Sequence, residues 1–162
     1  FKAGATILDF GCGVGDSAAA MRAEGLLPVC RDGSAEMVRT ANELYQLDAS
    51  VALFSELDDN NIYDGVWANF SLLHAPKSEF PHLISALHTS LKPHGWLFVA
   101  LKLGDGEMRD KFRRHYAYYE EDELDSILIK PGFAVDEKIY GKSRGMAGTD
   151  EPWIGGFYQK SA

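Results

Sequence analysis

The sequence predicts an α/β fold in which a mostly parallel sheet carries helices on both faces. Short apolar segments alternate with segments of helical periodicity along the 162 residues, as parallel strands joined by helices require. Residues 6–24 run from a short strand through glycines into a helix, which is half of a βαβ unit. Residues 96–101 are apolar throughout, as a strand covered on both faces must be.

The glycine-rich segment TILDFGCGVGDS, residues 6–17, is the most informative stretch. Gly11, Gly13 and Gly15 alternate between the predicted first strand and a helix that begins near Ser17 and ends before Gly25. Glycine allows the backbone angles of such a turn, and it lets a ligand lie against the main chain. The dinucleotide pattern G-x-G-x-x-G would need a further glycine at position 16, which is aspartate.

A carboxylate follows the predicted second strand, residues 26–30. Asp32 lies at the carboxyl end of this strand, where it could accept both ribose hydroxyls of a bound nucleoside. The alternative is a turn aspartate without a ligand, and Arg31 beside it leaves the ribose contact open. Ser34 then caps a helix with Met37 and Val38 on its apolar face.

The remaining elements follow the same alternation. We expect a third strand at 50–54, a central strand from 63, a helix from about 80 to 91, and a fifth strand at 96–101. A helix from 120 precedes a sixth strand that we expect in two parts, 133–135 and 139–140. A turn region at 141–152 then leads to a last strand at 153–159. Residues 108–119 are polar, basic and aromatic, which suits either a lid or a packed loop.

Composition limits the partners of the chain. The net charge is −8, from 16 basic and 24 acidic residues, which argues against nucleic-acid binding. The basic cluster at 111–115 is interpreted as a solvated loop. No segment is apolar enough for a membrane span, and the histidines show no metal-ligand spacing. Cys12 and Cys30 form no disulfide framework, so we expect a cytoplasmic protein. The length predicts one domain, residues 1–162, and we expect a monomer or homodimer.

Four motifs resemble one enzyme superfamily. Asp9-x-Gly11-x-Gly13-x-Gly15 resembles motif I of the class I S-adenosylmethionine (SAM) dependent methyltransferases, and residues 32–37, DGSAEM, resemble the acid-Ser-Pro-Glu-Met stretch that follows it. Residues 63–76, YDGVWANFSLLHAP, closely resemble the fourth-strand motif of the small-molecule and tellurite-resistance branch. Residues 102–107, KLGDGE, resemble a loop of the same branch. The likeness runs from Ile7 to about Lys160.

The resemblance implies a Rossmann-like methyltransferase sheet with an antiparallel last strand, and SAM as cofactor with S-adenosylhomocysteine (SAH) as product. The N-terminal helices that precede motif I in the family are expected to be missing, because the chain opens almost directly on the first strand. By resemblance and strand-end position, the expected cofactor-binding residues are Asp9, Gly11, Cys12, Gly13, Gly15, Asp32, Gly33, Ser34, Met37, Glu56, Leu57, Asn69, Phe70 and Ser71.

These residues have distinct expected roles. Asp9 would meet the ammonium group of SAM directly or through water, and Asp32 would bind the ribose. Glu56 and Leu57 would hold the adenine, unless residues 55–61 are a solvated acidic loop.

The expected reaction is an in-line displacement that moves a methyl group to a small-molecule acceptor. His74 is the candidate base or acceptor-positioning group, although such a histidine can also only shape the pocket. Lys102, Tyr118 and Tyr119 are expected at the substrate side. The alternatives are a non-catalytic SAM-binding module and a NAD-type oxidoreductase.

Overall fold

A computed structural model describes residues 1–144 and 150–161. The strands are β1 (Thr6–Phe10), β2 (Leu27–Asp32), β3 (Ser50–Val51), β4 (Tyr63–Asn69), β5 (Leu91–Lys102), β6 (Glu107–Arg109), β7 (His115–Ala117), β8 (Phe133–Arg144) and β9 (Asp150–Lys160). The α-helices are α1 (Asp16–Ala23), α2 (Ala35–Tyr45), α3 (Phe80–Ser90) and α4 (Glu121–Ile129). None of these helices is long and apolar enough to cross a bilayer.

Seven strands form one mixed sheet in the order β3-β2-β1-β4-β5-β9-β8. The first five are parallel, and β9 runs antiparallel to both of its neighbours. This confirms the α/β fold and the antiparallel last strand. The chain moves outward from β1 to β2 and β3 and then returns to β4 on the other side of β1. The carboxyl ends of β1 and β4 therefore flank a topological switch point, where ligands bind in such sheets.

Two apolar clusters fill the fold. The larger one packs the sheet against α3 and α4, and it includes Phe80, Ile84, Leu124 and Leu128, all fully or nearly fully buried. The smaller one lies beneath α1 and α2. Its members are Cys12, Ala18, Cys30, Val38, Ala41, Leu47 and Ala49, and both thiols are free.

Local chemistry sets the helix starts. The Ser34 hydroxyl accepts a hydrogen bond from Met37 N at 3.4 Å and so caps α2. Pro81 stands in the first turn of α3, where its missing N–H costs nothing. Gly15 begins α1 in the left-handed conformation, with φ 90°.

Several predicted strand boundaries were wrong, and the second strand runs over Leu27–Asp32 rather than 26–30. The third strand ends at Val51 rather than at residue 54, because Phe54–Glu56 forms a 3-10 turn closed by a hydrogen bond from Leu53 N to Glu56 Oε2 at 2.7 Å. The fifth strand begins at Leu91, and an irregularity opposite Tyr63 absorbs the residues before Trp96. The sixth strand is continuous from residue 133 to residue 144.

The predicted turn region at 141–152 is mostly strand. Its first four residues belong to β8 and its last three belong to β9, and the pairing of the two strands extends to the pair Arg144 and Asp150. Residues 145–149 lie outside the described residues. The segment at 108–119 contains an antiparallel hairpin of β6 and β7, which is separate from the main sheet.

Gly15→Ala is expected to destabilise the protein by about 2 kcal/mol. A Cβ at Gly15 would lie 2.5 Å from Leu47 Cδ1, and the residue already holds a left-handed conformation. The matched control is Gly4→Ala, where φ is 82° and no atom lies within 4 Å of the added Cβ. Urea unfolding gives the free energy of unfolding of both variants. Equal losses of stability would show that the Leu47 contact costs nothing.

Candidate active site

A cleft of about 490 Å³ opens at the carboxyl ends of β1, β2 and β4. Its size is that of a small-molecule site. The residues that line it come from five separate segments of the chain. They are Gly11, Gly13, Asp32, Gly33, Ser34, Met37, Phe54, Phe70, Ser71, His74 and Arg114.

The Asp32 carboxylate joins the glycine loop to the end of β2. Its Oδ2 accepts a hydrogen bond from Gly13 N at 2.8 Å, and its Oδ1 accepts one from Ser34 N at 2.8 Å. Each carboxylate oxygen can accept more than one hydrogen bond. Asp32 is therefore held in a fixed orientation and keeps acceptor capacity toward the cleft. Arg31 binds Asp59 at 2.6 Å instead of Asp32.

Gly11 is required by the close approach of β1 and β4. Its φ is 83°, and a Cβ there would lie 2.3 Å from the Cβ of Ser71. The Ser71 hydroxyl donates to the carbonyl oxygen of Phe10 at 2.5 Å and ties the two strand ends together. The backbone N–H groups of Gly11 and Cys12 donate to the carbonyl oxygen of Arg31. These bonds fix the loop to β2 and to the segment that follows β4.

Asp9 is a buried carboxylate behind the glycine loop, with only 2% of its surface exposed. Its Oδ2 has no hydrogen-bond partner among the described residues. Burial and the charge of Asp32 raise the pKa of Asp9, the N–H of Ala18 opposes both, and the net pKa is about 7. A buried and incompletely satisfied carboxylate of this kind favours a cation beside it.

Phe70 has a strained backbone at the mouth of the cleft. Its φ of 53° is in the left-handed region, which a bulky side chain rarely adopts, and its ring meets Trp153 edge-on at 5.7 Å. Strain of this kind is concentrated at functional sites. The chain then turns through the 3-10 segment Leu72–His74, which brings His74 to the wall.

The tautomer of His74 is fixed by the β6–β7 hairpin. Its Nδ1 lies 2.8 Å from the carbonyl oxygen of His115, which can only accept, so Nδ1 carries the proton. In the neutral ring, Nε2 then holds a lone pair. Burial lowers the pKa of His74 from 6.5, the hydrogen bond to the His115 carbonyl oxygen opposes this, and the charges of Arg114 and Lys102 lower the pKa further. The ring is therefore mostly neutral at pH 7.

A sequence model described as "Methyltransferase domain" matches residues 1–138. The chain belongs to this methyltransferase family. SAM is the methyl donor of the family. The match agrees with the resemblance of residues 9–15 and Asp32 to class I methyltransferases. Membership of the tellurite-resistance branch stays a prediction.

Two curated relatives support the family. The methyltransferase chain is 31% identical to phosphoethanolamine N-methyltransferase 2 of Caenorhabditis elegans over 147 residues, which is 82% of this chain and 33% of that protein. It is 30% identical to the carboxy-S-adenosyl-L-methionine synthase of Geobacter metallireducens over 152 residues, 85% of this chain and 62% of that protein. The chain thus spans a third to under two thirds of these relatives.

A solved structure supports the fold. A SAM-dependent methyltransferase of Methanosarcina mazei superposes with a TM-score of 0.87 at 18% identity, covering 99% of this chain and 94% of that one. At this identity the likeness establishes the architecture of the methyltransferase sheet and no more.

Eight of the fourteen expected cofactor-binding residues line the cleft, and six lie elsewhere. Glu56 closes its own 3-10 turn, and Leu57 is buried in the main core. Cys12 is buried in the smaller cluster, and Gly15 packs beneath Leu47. Asn69 and Asp9 also lie outside the wall of the cleft. Whether the eight wall residues bind a cofactor stays a prediction.

The expected substrate-side residues differ in position. Lys102 pairs with Glu151, and the Tyr118 hydroxyl donates to the same glutamate at 3.0 Å. Tyr119 is fully buried against Phe80, with ring centroids 4.6 Å apart, rather than exposed on a lid. Of the substrate-side residues predicted from sequence, only His74 reaches the cleft.

Sequence reasoning missed two residues of the wall. Phe54 was assigned to a strand, and the 3-10 turn brings it to the cleft instead, edge-on to Phe10 at 4.9 Å. The sequence predicts Arg114 in a solvated basic loop, whereas the structure places it in the wall of the cleft. Its proximity to aromatic residues at 112 and 116 was the available signal.

Asp9→Asn is expected to stabilise the free protein at pH 8 by about 2–4 kcal/mol. The pKa of Asp9 is higher in the folded state, at about 7, than its ordinary value of 3.8, so the folded state holds this proton more tightly. Stability is therefore lost as pH rises from about 4 to 7. Urea unfolding from pH 4 to 8 should show that the gain in the free energy of unfolding grows from about pH 4 to 7 and is constant above pH 7.

Asp64→Asn is the matched control. Lys92 and the Thr6 N–H outweigh burial at Asp64 and lower its pKa, so this substitution should cost stability at pH 8. A gain for Asp9→Asn that did not change with pH would contradict the assignment of a raised pKa to Asp9.

Proposed function

We propose that this chain binds SAM in the cleft and transfers its methyl group to a small-molecule acceptor. The observation that carries the proposal is the Asp32 carboxylate, oriented by Gly13 N and Ser34 N at the mouth of the switch point. Residues 1–162 would form one SAM-binding domain. The name of the nematode relative, a phosphoethanolamine N-methyltransferase, agrees with a small acceptor.

The residues present fit SAM in charge and shape. The Asp9 carboxylate lies behind the glycine loop rather than in the wall of the cleft, and in this proposal its unpartnered oxygen attracts the ammonium group of SAM from there. Gly13 has φ 56° with no atom within 4 Å of an added Cβ, so the loop leaves room for a ligand. In this proposal Asp32 binds the ribose hydroxyls, and the apolar side chains of Met37 and Phe54 contact the adenine. Bound SAM supplies a methyl group already activated by a sulfonium.

The protein then has to align the acceptor and manage its proton. Alignment alone can contribute on the order of 7–11 kcal/mol to the rate. We assign His74 as the group that takes a proton from a hydroxyl or protonated amine, because its Nε2 carries the lone pair and its pKa keeps the ring neutral. A thiolate or neutral amine would need no base, and His74 would then only position the acceptor.

Asp32→Ala should weaken SAM binding by about 1.5–3 kcal/mol, the range for hydrogen bonds to a charged group. Isothermal titration calorimetry with SAM, SAH and NADH measures this directly. The matched control is Asp58→Ala, which removes an exposed acid outside the cleft and should leave the affinity unchanged. Tight NADH binding with no SAM signal would refute the proposed function.

His74→Gln should leave SAM affinity within about two-fold and slow methyl transfer by about 10²-fold or more if the histidine acts as a base. The assay follows tritium from labelled SAM into a panel of thiols, amines, hydroxyls and metalloid oxyanions. His82→Gln, an exposed histidine on α3, is the control. Equal rates for His74→Gln and the parent would return His74 to a packing role, and transfer to no acceptor class would favour a non-catalytic SAM-binding module.

A further inference from the structure

Two consecutive residues of β7 hold the ring of His74. Its Nδ1 donates to the carbonyl oxygen of His115 at 2.8 Å, and its ring meets the ring of Tyr116 edge-on with the centroids 4.8 Å apart. The hydrogen bond that one ring nitrogen makes decides which nitrogen of a neutral histidine carries the proton. The tautomer of His74 therefore depends on where β7 lies.

The hairpin that presents this carbonyl oxygen is small. β6 and β7 pair through three residues each and form a sheet separate from the main one, and a two-stranded hairpin alone is marginally stable in water. Its base is joined to the end of β5 by the bridge between Leu103 and Tyr119 and by a hydrogen bond from Tyr119 N to the carbonyl oxygen of Lys102 at 3.2 Å. His115 lies at the other end of the pairing, opposite Arg109.

Glu107 fastens this hairpin to the segment that carries His74. Its Oε1 accepts a hydrogen bond from Lys77 N at 2.7 Å and lies 3.1 Å from Nε2 of His115. Lys77 follows His74 closely in the chain, so the four residues form a closed ring of contacts. His115 takes part in it twice, with its imidazole toward Glu107 and its carbonyl oxygen toward His74.

The Glu107 carboxylate contributes direction more than stability. The Lys77 N–H lowers the pKa of Glu107, desolvation opposes this, and the contact with His115 lowers the pKa further, so the group is ionised at pH 7 and can only accept hydrogen bonds. The Glu107 side chain is 39% exposed and that of His115 is 22% exposed. Ion pairs with this exposure add little to the free energy of unfolding.

We propose that Glu107 is a positioning residue for His74. It holds the His115 carbonyl oxygen against His74 Nδ1, which keeps the proton on that nitrogen and leaves the Nε2 lone pair for the cleft that His74 lines. The catalytic use of this lone pair rests on the function proposed above. The orientation of the ring does not, because it can be measured without cofactor or acceptor.

The test measures the tautomer of His74 from its ring ¹⁵N NMR signals in the free protein at pH 8, with His74→Gln to assign them. The parent should carry the proton on Nδ1. Glu107→Ala should shift the ratio of the two tautomers about ten-fold toward the Nε2–H form, the effect of one lost hydrogen bond.

Glu123→Ala is the matched control. The Glu123 side chain is also 39% exposed and also contacts Lys77, but it binds the ammonium group at 2.8 Å and does not touch the hairpin histidine. This variant should leave the tautomer ratio of His74 unchanged.

His115→Ala provides an independent variant, because it keeps the carbonyl oxygen and removes the ring that contacts Glu107. It should shift the tautomer ratio as far as Glu107→Ala does, and the double variant should shift it no further, since both substitutions remove the same link. If Glu107→Ala does not fold, Glu107→Gln replaces it. Glutamine keeps an oxygen for Lys77 N, so a smaller shift in the same direction is expected.

The positioning role would be overturned by a parent His74 with its proton on Nε2, by an unchanged ratio in the Glu107 variant, or by an equal shift in Glu123→Ala. Each of these results leaves SAM binding in the cleft intact as a proposal. A parent protein that does not bind SAH would refute the proposed function, whereas the tautomer measurement would still decide the role of Glu107.

Discussion

The Asp32 carboxylate is the interaction on which the cleft depends. It accepts backbone hydrogen bonds from Gly13 and Ser34, and so joins the turn after β1 to the start of α2. A second tie, from the Ser71 hydroxyl to the Phe10 carbonyl, closes the other side of β1. Three parallel strands therefore end at fixed positions around one opening. The buried backbone donors of the loop are satisfied within the protein, and the cleft stays available to a ligand.

The arrangement separates charge along the cleft. The glycine-loop side carries Asp9 and Asp32, and burial and mutual repulsion raise the pKa of Asp9 to about 7. The hairpin side carries His74 and the Arg114–Asp110 ion pair, whose charges offset each other. The acidic side is the one that the proposed function assigns to the cationic methyl donor. Membership of the methyltransferase family agrees with this division of the cleft.

The glycine-loop side of the cleft was predictable from sequence because it depends on local backbone geometry, although its binding of a cofactor stays a prediction. Gly11 and Asp32 each lie within two residues of the end of a predicted strand, so their positions follow from the spacing in the sequence. The hairpin side of the cleft was not predictable. Arg114 reaches the cleft through a hairpin whose turn Asp110 organises, and Phe54 arrives through a 3-10 turn that ended the predicted strand early. Tyr119, which is predicted on the substrate side, follows β7, pairs with Leu103 in an isolated bridge and packs its ring against Phe80 in the core.

A crystal structure of the protein grown with SAH tests the central claim most directly. The account predicts density for the nucleoside in the cleft, with both ribose hydroxyls within hydrogen-bond distance of the Asp32 carboxylate and the amino-acid tail beside Gly11 and Gly13. An empty cleft at saturating SAH, or SAH bound with its ribose away from Asp32, would contradict it.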